Sequence, residues 1–165
     1  MIDIPEKIDP HRLIEFSGEH LYYEIEMLYG VARILHQQKV EDPYIYNALL
    51  ESFVVHASNI LDFFYRPQIK SDDARAVHYM DDFKKWSNLL PPYEKHFERF
   101  DNKRNKRVIH LSYKRLDVPP EERKWGSPKI TKEIQKLVDL FLDKANPRYL
   151  HPRIHELRSP KETTS

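Results

Sequence analysis

Apolar residues recur along most of this chain at spacings of three and four, the repeat of a helix that buries one face. Leu21, Ile25, Leu28, Ala32 and Leu35 form the first such stripe. Ahead of it, Asp9-Pro10 supplies a capping carboxylate and a proline at the first helical position. One long amphipathic helix is predicted over about 10–38, with Ser17-Gly18 as the place where its first turns fray or bend. Asp42-Pro43 repeats the start signal. Ile45, Leu49, Phe53, Ala57, Ile60 and Phe64 then predict a second helix that stops before Pro67, and Leu50, Val54 and Leu61 widen its apolar face so far that it belongs at the centre.

Ser71 or Asp72 caps a predicted third helix in which Val77, Met80 and Phe83 share a face, ending near Trp86 and before Pro91-Pro92. A fourth helix is predicted from about Tyr93 to Leu116, with Tyr93, Phe97, Phe100, Val108 and Leu111 as its apolar members and an unusually polar middle. Ser127-Pro128 opens a fifth, whose inward face is Ile130, Ile134, Leu137, Val138 and Phe141 and which ends at Asn146-Pro147. Only three glycines interrupt the chain, and most of its twelve prolines fall at predicted helix ends. The expected fold is all-α, an up-and-down antiparallel bundle of about five helices. One domain over 1–146 is expected, followed by an extended or disordered tail over 147–165, where periodicity fades and Pro, His and basic residues dominate.

At 165 residues one core suffices without a staple, and with no cysteine a disulfide framework and thiolate metal sites are excluded. Met1 to Pro10 carries Asp3, Glu6 and Asp9 and lacks the basic start and apolar run of a signal peptide, and no later stretch is apolar for long enough to span a bilayer. A cytoplasmic protein that does not enter a membrane is expected.

Charge divides the chain unevenly. Residues 1–98 hold 10 Lys/Arg against 17 Asp/Glu and residues 99–165 hold 17 against 9, giving halves of −7 and +8. Such a split attracts a polyanion to one end or draws two copies together. The sharpest local feature is 99–115, with seven Lys/Arg and a single acid. Lys103, Lys106, Arg107, Tyr113, Lys114 and Arg115 supply the charge and the stacking ring that RNA binding needs, although a plain solvated basic face has the same composition.

Within this segment Arg104-Asn105 is followed by His110, and the arrangement resembles the arginine–polar–spacer–histidine signature of HEPN domains. The segments Glu51–Phe64 and Asn105–Arg115 are also similar to those of small uncharacterised bacterial HEPN-like proteins. The resemblance covers about 40–145 in organisation. It implies a metal-independent endoribonuclease, acting in bacterial defence or in a toxin–antitoxin pair, as a homodimer with RNA as substrate and an antitoxin or other protein as partner. Arg104 would stabilise the scissile phosphate, His110 would act as acid or base, and Asn105 would orient them. No cofactor is needed, because RNA carries its own nucleophile in the 2′-hydroxyl. On a straight helix Arg104 and His110 stand roughly 120° apart and about 9 Å along the axis, so the pair requires an irregular helix or a site shared by two subunits.

Other chemistry is weaker. His36, His56 and His78 raise the question of a metal, but no Glu-x-x-His pair accompanies them and no metal site is expected. His56 reads as a polar group contacting a neighbouring helix, and Trp86 and Trp125 read as covers over the core. Tyr22, Tyr23, Tyr29, Tyr44 and Tyr46 read as packing residues, with a dimer surface as the alternative. Ser112 and His110, two positions apart on a helix, point away from one another and form no nucleophile pair. Two further functions remain beside the nuclease: a non-catalytic helical interaction module, and a protein that binds RNA or nucleotide phosphate without cutting.

Overall fold

The computed structural model describes residues 8–66, 72–93, 95–104, 113, 116 and 125–160. Among them are six α-helices and no strand: α1 Pro10–Phe16, α2 Tyr22–Gln37, α3 Pro43–Tyr65, α4 Phe83–Leu89, α5 Lys95–Arg104 and α6 Ser127–Lys144. A π-helical turn, Ser17–Leu21, joins α1 to α2, and 3₁₀ turns occupy Ala76–Tyr79, Pro147–Tyr149 and Pro152–Leu157. No described helix is long and apolar enough to cross a membrane.

One local device starts four of these elements. In Asp9-Pro10, Asp42-Pro43, Asn146-Pro147 and His151-Pro152 the side chain before proline accepts the backbone N–H two residues on. Proline fixes the first helical φ and removes one orphan donor, while the cap satisfies another. At Asp42 the carboxylate takes a second bond, from the Ile45 N–H at 3.1 Å.

α2 and α3 form a helical hairpin around the 38–42 connector, and α6 packs on both. The core follows the predicted stripes: Ile25 and Leu28 from α2, Phe53, Ala57, Ile60 and Leu61 from α3, and Ile134, Val138 and Phe141 from α6 are buried. Phe141 is the hub of an aromatic cluster, with the Phe63, Phe64, Tyr79 and Trp86 rings all within 6.2 Å. Trp125 is also buried and meets Phe100 edge-on at 5.8 Å. Burial along α3 begins only at Leu49; Ile45 and Tyr44 are exposed, because a helix end beside a single chain reversal lacks the second neighbour needed to close its face.

One helix differs from expectation. The predicted third helix is a 3₁₀ turn and a separate short α4, capped by Asp82 rather than Ser71 or Asp72, with Ala76, Tyr79 and Trp86 buried in place of Val77, Met80 and Phe83. Tertiary bonds override helix propensity here: Tyr79 Oη donates to the Leu13 carbonyl at 3.0 Å, and its own carbonyl accepts the Asn146 N–H at 2.8 Å. The predicted fourth helix is described as α5 through Arg104; Val108 and Leu111 lie outside the described residues. Ser127-Pro128 opens α6 as expected, and the helix is entered through Gly126, which adopts φ 63°.

The largest correction concerns the tail. Residues 147–160 are a packed strap, with Leu150, Ile154 and Leu157 buried against the bundle. The strap crosses the π turn, where the His151 N–H donates to Ser17 Oγ at 2.8 Å and Ser17 Oγ donates to the Ile14 carbonyl at 2.9 Å. Gly18 permits this approach, since a Cβ there would lie 2.6 Å from His151 Cγ. Further along, Arg153 stacks over the Tyr22 ring, Arg158 donates to the Leu142 carbonyl, and Ser159 bonds Asp139 twice.

Candidate functional site

Of the predicted site residues, Arg104 and Tyr113 have described side chains. Lys103 lies on α5 with its side chain outside the description, and Asn105, Lys106, Arg107, His110, Lys114 and Arg115 lie outside the described residues altogether. Tyr113 is 91% exposed, free for a stacking partner. Arg104 is different: its side chain is only 18% exposed.

What surrounds Arg104 is a polar cluster between α3 and α5. Phe97 and Phe100 hold α5 against the core by one face, which turns Asp101 and Arg104 toward the end of α3. Arg104 Nη1 is 3.7 Å from Asp101 Oδ1, and Tyr93 Oη donates to Asp101 Oδ2 at 2.5 Å. On α3, Asp62 Oδ2 accepts from Arg66 Nη1 at 3.2 Å. Burial lifts the Asp62 carboxyl above the usual carboxylate range, against the pull of the Arg104 and Arg66 charges. Burial, then the bond to Asp101, makes Tyr93 harder to ionise, so it stays a neutral donor. The Arg104 Nε is buried with no hydrogen-bond partner among the described residues.

A second polar contact joins α2 and α3. His56 Nδ1 lies 2.8 Å from Glu24 Oε2, which also accepts from Asn59 Nδ2 at 3.1 Å, and the Tyr23 ring meets the imidazole edge-on. This is the interhelical contact expected of His56. Tyr22 is buried as a packing residue, whereas Tyr23, Tyr44 and Tyr46 are exposed. No three His, Asp or Glu side chains among the described residues converge as a metal site requires.

No spacing pattern announces Asp62 and Tyr93 beside Arg104 and Asp101. Asp101 is one turn before Arg104 and was the available signal; Asp62 and Tyr93 approach only through the packing of α5 on α3. No family model, no curated protein and no solved structure matches this chain.

Proposed function

We propose that this chain is a metal-independent endoribonuclease of the HEPN type, acting on RNA as a homodimer in bacterial defence or a toxin–antitoxin pair. The observation that carries this reading is the setting of Arg104. Asp101 steers its guanidinium, and its Nε is uncommitted among the described residues. A permanent, oriented positive charge therefore stands where the basic segment begins, which is what charge building on a phosphate requires. In this reading a 2′-hydroxyl gives its proton to His110, its oxygen bonds the adjacent phosphorus, and the 5′-oxygen leaves with a proton, producing a cyclic phosphate. α5 is regular through Arg104. A straight continuation puts His110 roughly 120° away, so Arg104 of one copy works with His110 of a second.

The test is incubation with RNA in the presence of a chelator. Fragments ending in a cyclic phosphate are expected, with His110→Ala losing about 10²–10⁴-fold in rate and Arg104→Ala strongly impaired. Intact RNA, or cleavage only with added metal, overturns the reading. One observation favours a non-catalytic interaction module instead: Arg104 is largely buried and ion-paired, as a structural arginine is, while Tyr44 and Ile45 stand open at the start of α3. RNA binding without fragments would leave the third function, phosphate recognition alone.

A further inference from the structure

α1 shows one face to the segment that precedes α4, and a cleft of about 440 Å³ lies between them, within the size range of small-molecule sites. Leu13, Phe16 and Tyr79 give it an apolar floor, closed beneath by the bond from Tyr79 Oη to the Leu13 carbonyl. Charged side chains line both of its sides. Arg12 lines it from α1 and Asp72 from the facing segment, and neither has an ion-pair or hydrogen-bond partner among the described residues. Asp9, beside Arg12, and Asp73, beside Asp72, also line the cleft, but the His11 N–H engages one Asp9 oxygen and Asp73 has an interaction of its own, which leaves Arg12 and Asp72 as the two open charges among the described residues.

His78 lines the cleft on the same side as Asp72. Its Nδ1 accepts the Arg75 N–H at 3.3 Å, which leaves the proton on Nε2. That Nε2 is buried with no acceptor among the described residues.

We infer that this cleft binds a small zwitterion with an apolar body, of the α-amino-acid class, its carboxylate on Arg12, its ammonium on Asp72 and its side chain on the Phe16–Tyr79 floor. Two opposite charges that share one cleft yet do not pair with each other suit a ligand carrying both. A purely anionic ligand would leave Asp72 opposed and a purely cationic one would leave Arg12 opposed. The site is separate from Arg104 and does not depend on nuclease activity.

Calorimetric titration of the full chain with L-phenylalanine and L-leucine tests it, beside N-acetyl-L-phenylalanine and L-phenylalaninamide, which each lack one charge. Saturable binding of at least one free amino acid is expected, with the blocked forms and the Arg12→Ala and Asp72→Asn variants each weaker by about tenfold or more. Both substituted side chains are exposed, so melting temperatures should stay at the wild-type value, which separates lost binding from lost fold. Failure of both amino acids to bind at millimolar concentration, equal binding of the blocked forms, or indifference to both substitutions overturns the inference.

Discussion

His56 Nδ1 and Glu24 Oε2 meet at 2.8 Å across the α2–α3 hairpin, with the imidazole almost wholly buried and the carboxylate partly so. Together with the bond from Asn59 Nδ2 to the same carboxylate oxygen, the pair gives the α2–α3 contact direction, so it fixes register as well as adding stability.

Glu24→Ala should therefore lower stability by about 1–3 kcal/mol, because it strands the buried imidazole without an acceptor. Glu24→Gln, which keeps an oxygen in reach, should recover part of the loss. Urea midpoints report both changes, and a midpoint unmoved by Glu24→Ala would show that the imidazole finds another partner.

Gly18→Ala places a methyl group against the His151 ring and should destabilise by about 1–3 kcal/mol. His151→Ala removes the obstacle, so the double variant should lose less than the two single losses added together. Thermal melts of the four proteins give the coupling directly. Strict additivity would mean that the strap does not lie on the π turn.

His78 gives a pH dependence of definite sign. Burial, and secondarily the Arg75 charge, push its pKa from 6.5 down to about 4. Between those values the unfolded chain takes up a proton that the folded chain refuses, so stability falls as pH drops through this window, by roughly 2–3 kcal/mol. Asp62 works in the opposite direction, since its raised pKa lets the folded state hold a proton more tightly as pH falls. His78→Gln should flatten the loss between neutral pH and about pH 4. Urea midpoints of wild type and variant across that range isolate the histidine, and parallel curves would refute its assignment.

For the basic segment, RNA affinity should fall steeply with salt and weaken in Arg107→Ala and Lys114→Ala, each by an amount similar across RNA sequences. Mobility shifts at two ionic strengths measure this. Binding indifferent to both salt and substitution would leave the segment a solvated face.

Helix α3 was legible nearly to the residue, because Asp42-Pro43 and Pro67 mark its ends by local rules that hold whatever packs around them. The strap was not. Leu150, Ile154 and Leu157 do sit at spacings of four and three, but Pro147 and Pro152 break the run into turns too short to carry a helical period. What stabilises the strap is distant in sequence: Ser17, Tyr22, Asp139 and Leu142. The cap-and-proline pair that starts α1 and α3 also starts both strap turns, and it was the usable signal. Around Arg104 the signature residue itself was readable, but Asp62 and Tyr93 reach it through tertiary packing that no spacing rule encodes.

The contact between Ser17 and His151 also sets an order of events during synthesis. The α2–α3 hairpin closes over a short connector, and its two helices can meet once residue 65 has left the ribosome, before α6 is made to pack on both. The π turn must wait for a segment translated more than a hundred residues later, and until then the Ser17 hydroxyl lacks the backbone donor that crosses it. Closure of the amino-terminal turns is thus completed only once this strap has been made. A ribosome stalled before residue 147 would hold a nascent chain with its hairpin formed and its amino-terminal turns still open to proteases and chaperones.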